Sequence, residues 1–458
     1  MDTAAAIDFD DIERRSSLPQ LAWAVRLRGR TATLQAGCGV EIGKGTCSEG
    51  IWSSEDLDLR SFAALERRAD VYFFGSAAVR LTKSAVLCFP PTHMLDPLYL
   101  VIPHNGSPVT ITNSMIWAMR EAGATGLAQN EVSALTEAIR SATYGLLAYK
   151  RLLLVTSSAS LIRIMYTPFV VDAKTGVFAE EPVGFVRDTT PFTFAGYKGA
   201  LLSVLRRAWA NATSPERQHP FARLHSTMSS GYDSTACAAL AKELGFTEVL
   251  SLDTGRGGAD DSGRLAAAEM GLTQRLFPRP GNGLEYRSEK VPDYYVTIAT
   301  IRRATGKTYA EFVAPLGNHG DLVFDAFAPV LPGSIVLTGL HGAPMWAPRV
   351  KSGPWIKRAD SSGTGLTEFR LRTGFVHLPV AYIHCLRWQS VQALTNSPEM
   401  RPYHWGEPYN KPIARRLGEE AGASRESFGV QKRAASLMVL LDSERYAPFY
   451  EEIVARYD

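Results

Sequence analysis

From residue 20 to about 190 the chain alternates short apolar runs with turns. Leu21-Ala22-Trp23-Ala24-Val25, Ala69-Asp70-Val71-Tyr72-Phe73-Phe74, Ala85-Val86-Leu87-Cys88-Phe89 and Val109-Thr110-Ile111 read as strands, being rich in β-branched and aromatic residues at strand length. Helical segments are expected over 113–121 and 130–142, which makes this half, 1–190, an α+β domain. A boundary is expected near Thr190-Pro191. A helical run over 197–210 then leads into strand, helix, strand, helix, strand at 222–228, 235–244, 248–253, 261–270 and about 273–277. Ala236, Ala239, Leu240 and Leu244 keep one face of the first of these helices apolar. Gly245 and Gly271 stand where C-cap glycines belong. Ser334–Thr338 reads as a further strand, and the remainder as mostly helical. Such alternation predicts an α/β fold over 191–458, with a doubly wound parallel sheet whose ligand lies beyond the strands' carboxyl ends.

Composition narrows the class. A chain of 458 residues exceeds one compact core, and 45% hydrophobic with 21% charged residues is globular. A net charge of +3 gives no support to general nucleic-acid binding. The best apolar run, 145–165, is broken by Lys150, Arg151 and Arg163, so no membrane span is expected. The acidic start, with Asp2, Asp8, Asp10 and Asp11, has no signal-peptide pattern. Five scattered cysteines without a C-x-x-C pair argue against structural zinc and suit a cytoplasmic protein.

The candidate chemistry centres on Ser229-Ser230-Gly231-Tyr232-Asp233-Ser234-Thr235. A Ser/Gly turn between a strand and a helix brings backbone N–H groups together. The helix N-terminus adds about half a positive charge, and the turn forms a nest for phosphate oxygens. No G-x-x-x-x-G-K-[ST] loop occurs.

This stretch resembles the S-G-G-x-D-S loop of the PP-loop ATP pyrophosphatases, the family of the asparagine synthetases, with Ser230 in place of a glycine. The resemblance implies cleavage of ATP between its α- and β-phosphates. Ser229, Ser230, Gly231, Ser234 and Thr235 would hold the nucleotide with Leu252, and Asp233 would face Mg²⁺. Tyr232 either lines the pocket or covers the helix. Leu337-Thr338-Gly339-Leu340-His341-Gly342-Ala343-Pro344 stands where asparagine synthetases carry S-G-E-G-x-D-E. Thr338 and Gly339 match in type, whereas Leu340, Ala343 and Pro344 replace the acidic residues. A second magnesium ligand would then be water, phosphate, Asp260 or Asp261. Tyr409-Asn410-Lys411-Pro412-Ile413-Ala414-Arg415 resembles the family's K-x-x-x-R stretch, and Lys432 matches its catalytic lysine. Gly374 to Val380 resembles the apolar L-P-F-L-D corner without its acidic end.

The resemblance covers about 190–458 and extends faintly to a glutaminase-like first half. Glutaminases of this class need a cysteine after the initiator methionine, and here Asp2 occupies that place, so no glutaminase activity is expected. That domain would be structural or would bind a protein partner. Beta-lactam synthetases and lasso-peptide cyclases are relatives that work without glutamine. The function implied is an AMP-forming amide ligase using ATP and Mg²⁺. It would act on a small-molecule, peptide or protein substrate with a carboxylate and an amine. Asp233-Ser234-Thr235-Ala236-Cys237 also resembles the D-S-T-T-C stretch of 7-cyano-7-deazaguanine synthases, an alternative that lacks the four-cysteine zinc site here. A nucleotide-binding scaffold is the third reading, favoured by Leu340, Ala343 and Pro344. Among other ionisable groups, His341 and His377 lie nearest the expected cleft, and Glu368 is either an acceptor-side base or part of a helix-surface ion pair.

Overall fold

The structure, a computed structural model, describes residues 7–54, 56–63, 71–106, 108–124, 134–135, 137–139, 141–145, 148–173, 177–180, 190–255, 258–279, 285–290, 296–302, 308–315, 320–348, 366–406 and 409–433. Asp2 and the segment from 434 to the C-terminus lie outside them, as do parts of the expected strand at 69–74 and helix at 130–142.

The first half stacks two sheets. A seven-stranded sheet runs Asp11–Arg14, Thr31–Ala36, Trp23–Arg28, Val109–Thr112, Leu98–Pro103, Ala159–Ile164 and Leu152–Val155. A six-stranded sheet runs Val177–Glu180, Phe169–Asp172, Ala85–Phe89, Ala77–Arg80, Thr46–Ser48 and Glu41–Gly43. Pairing is antiparallel except between Asp11–Arg14 and Thr31–Ala36. Strand periodicity explains the layering. Leu98 and Leu100 point, with Val25 and Leu27, into a core shared with Val86, Cys88 and Phe169 of the second sheet. Tyr99 and Val101 face the other way, onto Trp117 and Met119 of the helix Met115–Glu121.

The second half is built on a five-stranded, wholly parallel sheet. Its elements are helix α1 (Phe194–Ala212), β1 (Arg223–Met228), α2 (Tyr232–Glu243), β2 (Glu248–Leu252), α3 (Arg264–Glu269), β3 (Thr273–Phe277), β4 (Ser334–Thr338), α4 (Gly342–Trp346), α5 (Leu366–Thr373), β5 (Phe375–Pro379), α6 (Trp388–Thr395) and α7 (Pro412–Glu420). The strand order is β3-β2-β1-β4-β5, so β1 is central and the winding reverses between β1 and β4. One face buries Val249, Ile335 and Val376 against Leu205, Leu240 and Ile413. The other buries Leu250, Val336 and Phe375 against Phe324, Phe327 and Phe369. The α/β architecture expected for this half is therefore present.

Two features differ from the sequence expectation. Phe375–Pro379 is an edge strand of the parallel sheet rather than part of a mostly helical tail. Between β3 and β4 lies a three-stranded antiparallel sheet, Glu285–Lys290, Val296–Arg302 and Thr308–Pro315. Among the described residues no helix is long and apolar enough to cross a membrane.

Candidate functional site

The turn 229–231 leaves the carboxyl end of β1, at the point where the winding reverses. Ligands of open α/β sheets bind at such a switch point. Gly231 is the N-cap of α2, extended at φ −84° and ψ 160°, and has no side chain to cap the helix. The helix therefore starts at Tyr232, three residues earlier than expected, and Asp233 and Ser234 lie in its first turn. Hydroxyls hold the turn closed. Ser229 and Ser234 share a hydrogen bond of 2.7 Å, Ser234 Oγ accepts from the Ser229 amide at 3.0 Å, and Thr235 Oγ1 donates to the Gly231 carbonyl at 2.9 Å. The amides of Asp233 and Ser234 have no hydrogen-bond partner among the described residues. These are two unpaired donors at a helix N-terminus, the kind that binds anions.

Asp233 is enclosed by the loop that follows β4. Alpha carbons of Gly339 and Gly342 pack directly on it: a Cβ on Gly339 would collide with the Asp233 backbone, and one on Gly342 with its carboxylate. Thr338, buried at the end of β4, shares a 2.6 Å hydrogen bond with His377 of β5. Burial pushes the His377 imidazole down to about 3, so it is neutral. The ring of His341 lies 5.6 Å from that of Tyr382. Leu252, at the end of β2, is buried in the cluster on the opposite face of the sheet from α2.

Lys411, the residue before α7, forms an ion pair through Nζ with Asp233 Oδ2. The other carboxylate oxygen, Oδ1, is buried without a hydrogen-bond partner. Such an orphaned acceptor suits a cation. Among the described residues, however, no group of three or more His, Cys, Asp or Glu side chains gathers to hold a metal alone. Mg²⁺ commonly binds with one or two carboxylates, water and substrate phosphates, which one carboxylate here can satisfy.

The supports of Lys411 are rigid. Pro412 occupies the first turn of α7, where its fixed φ favours the helix start. Arg415, one turn on and fully buried, donates to Tyr232 Oη at 2.6 Å and to the Arg425 carbonyl at 2.8 Å. Tyr232 is thus fully buried, with its hydroxyl on Arg415. Tyr409 Oη accepts from the Tyr232 amide at 3.3 Å, and burial raises its phenol well above the usual range.

Asp261 is tied to the turn by its carboxylate on the Ser230 hydroxyl and by its carbonyl, which accepts from the Ser230 amide at 3.1 Å. Burial lifts its carboxyl above the usual range against the Ser230 hydrogen bond. Ser230 thus anchors the turn to the neighbouring segment. Asp260 is held below its usual range by the hydroxyl and amide of Ser262. Lys432 is exposed, on a segment tethered on both sides of it. The Gly429 amide donates to the Ser230 carbonyl at 2.8 Å, and Arg433 donates to the Asp260 carbonyl.

Glu368 lies elsewhere, fully buried between the two halves. It accepts from Ser114 Oγ at 3.0 Å and from the Met115 amide at 2.6 Å. It caps the helix Met115–Glu121, so neither an acceptor-side base nor a surface ion pair describes it. The sequence placed Lys411 and Arg415 in a K-x-x-x-R-like stretch and Asp261 among possible magnesium ligands, but pointed neither to the Lys411–Asp233 and Arg415–Tyr232 contacts nor to the Asp261–Ser230 tie. Compared with models of known protein families the chain matches none, and a search of curated proteins finds no match either.

Proposed function

We propose that this chain is an ATP-dependent, AMP-forming ligase, related to the PP-loop pyrophosphatases of the asparagine synthetase kind, that activates a carboxylate and joins it to an amine. The observation that carries the reading is the 229–231 turn at the switch point of the parallel sheet, opening α2 with free amides, with Asp233 and Lys411 beside it. Two donors and a lysine on a helix N-terminus suit a pyrophosphate group better than a neutral ligand.

ATP would lie with its β- and γ-phosphates on the turn, against the amides of Asp233 and Ser234 and the hydroxyls of Ser229 and Ser234. Asp233 would hold Mg²⁺, which when bound supplies positive charge to the phosphate oxygens. Thr338, Gly339 and Leu252 would border the rest of the nucleotide. A carboxylate oxygen of the substrate bonds to the α-phosphorus as the bond to the β-bridging oxygen breaks, and pyrophosphate leaves. Lys432 is assigned to the charge that builds at the α-phosphate, a preorganised electrostatic role. The amine then attacks the acyl carbon, AMP leaves, and one proton is released.

Hydroxylamine is a general amine trap for acyl-adenylates. With ATP, Mg²⁺, hydroxylamine and a panel of carboxylic acids, a substrate acid should yield a hydroxamate with AMP and pyrophosphate in equal amounts. Stoichiometric ADP and phosphate would overturn the proposal, since this loop type grips the leaving pyrophosphate. A nucleotide-binding scaffold is the second reading, favoured by Ala343 and Pro344 in place of carboxylates. ATP binding with no pyrophosphate formed from any acid would favour it.

A further inference from the structure

We infer that Lys411 is a phosphate-contacting residue held in reserve on Asp233: a divalent cation takes its place on the carboxylate, and the freed ammonium turns to the pyrophosphate group. The inference rests on the ligase reading above for the identity of the anion, and on geometry for the exchange.

Asp233 offers one carboxylate to two cations. Its Oδ2 holds the Lys411 ammonium, and its Oδ1, beside Gly342, is buried without a hydrogen-bond partner. A cation that binds the carboxylate must weaken the pair with Lys411, because like charges at such separations repel in a partly buried site. Lys411 is itself buried, so once displaced its charge needs another anion nearby. One candidate position is the start of α2, where the amides of Asp233 and Ser234 have no hydrogen-bond partner among the described residues.

The residues around Lys411 keep its stem in place while its head moves. Pro412 and the buried Arg415 anchor α7 to Tyr232, so the Lys411 backbone is fixed beside the turn. The flexible four-carbon chain does the rest. Tyr409, two residues earlier, places its hydroxyl on the Tyr232 amide at the same helix end. One short segment therefore covers both the carboxylate and an N-terminal amide of α2.

The exchange makes a prediction with opposite signs. In Lys411→Met, Asp233 loses its internal cation and should bind Mn²⁺ alone more tightly, by about tenfold. The same substitution should weaken magnesium pyrophosphate binding by roughly ten- to hundredfold, the usual worth of a charged hydrogen bond. Lys411→Arg should restore most of the pyrophosphate affinity. Mn²⁺ binding is read by electron paramagnetic resonance and pyrophosphate by calorimetry, on the full chain, with circular dichroism verifying that each variant is folded. Unchanged Mn²⁺ affinity in Lys411→Met overturns the competition on Asp233. Wild-type pyrophosphate binding that the substitution leaves intact overturns the phosphate role while sparing the ligase reading. Failure of the wild-type protein to bind either pyrophosphate or ATP overturns both, and the Mn²⁺ comparison still decides the pairing at Asp233.

Discussion

Arg370 grips Glu49 with both ends of its guanidinium, at 2.7 and 3.1 Å, and neither side chain reaches solvent. The two residues come from opposite halves of the chain. Asp96, also buried, lies 3.7 Å from the same guanidinium and accepts from Thr367 at 2.7 Å. Burial alone would raise the Asp96 carboxyl, yet Arg370 holds it below its usual range. A charge set of this kind makes the halves interdependent, because separating them would leave each buried charge without its partner.

Arg370→Met should therefore destabilise the protein by about 3–5 kcal/mol, the loss expected when one member of a buried pair is removed. Glu49→Met should do the same, and the double substitution should cost less than the sum. Urea unfolding followed by circular dichroism measures each. Strict additivity would show that the two residues act separately.

Glu368→Gln keeps the shape of the side chain but removes its charge from the start of the helix Met115–Glu121. A loss of about 1–3 kcal/mol is expected, since Ser114 Oγ and the Met115 amide lose a charged acceptor. Hydroxamate formation should persist in the folded variant. Its abolition without loss of stability would restore Glu368 to a role in the chemistry.

The parallel sheet was readable because β1, the turn, α2 and β2 follow one another with strand, helix and cap signals in a short span. Gly245 and Gly271 adopt positive φ, 90° and 67°, as C-cap glycines do. Phe375–Pro379 was not readable as a strand. All five of its residues are buried, and a short apolar run of that kind carries no period to separate strand from helix. The tie between Asp233 and Lys411 spans 178 residues, so no local pattern points to it. Glu368 misled for the opposite reason. Its neighbours Arg370 and Arg372 look like a charged helix surface, although Glu368 and Arg370 face the buried boundary between the halves.

Acid should weaken the fold before the carboxylates titrate. Burial holds His377 down to about 3 and, helped by Arg387, His384 down to about 4, while His225 is lowered by burial as well. A histidine depressed in the folded state takes up its proton first in the unfolded chain. Stability is therefore full above about pH 6.5 and falls as the pH drops towards 4. His384→Asn should flatten part of that slope, and asparagine tolerates the left-handed backbone found there, φ 67°. Urea midpoints at pH 7, 6 and 5 test it. A slope unchanged by the substitution would assign the proton uptake elsewhere.

Gly342→Ala should disturb the site out of proportion to its size. A Cβ there would collide with the Asp233 carboxylate, which must shift away from Lys411 or force the β4 loop outwards. Overpacking of this kind costs about 1–3 kcal/mol, and nucleotide affinity should fall with it. Gly245→Ala is the control. It strains a positive-φ residue with nothing within 4 Å of the new methyl, so it should cost stability and spare binding. Calorimetry with ATP and magnesium separates the two, and normal affinity in Gly342→Ala would remove Asp233 from the proposed nucleotide site.

Lys432→Ala tests the chemical step of the proposed ligase. Lys432 is exposed, but the tethers at Gly429 and Arg433 hold its segment against Ser230 and Asp260, at the edge of the turn. In the proposed ligase a lysine there would meet the α-phosphate of bound ATP. The ground-state triphosphate would already be held by the turn amides, Lys411 and a cation on Asp233. Charge that builds only in the transition state is what remains for Lys432 to meet. Its removal should lower the rate of adenylate formation by about 10²–10³, the usual loss of one preorganised donor, with a smaller effect on ATP affinity. Stopped-flow pyrophosphate release, set against equilibrium nucleotide binding, resolves the two. A variant that binds ATP poorly but reacts normally once saturated would make Lys432 a docking residue. A variant unchanged in both would leave it a solvated surface charge and pass the catalytic role to Lys411.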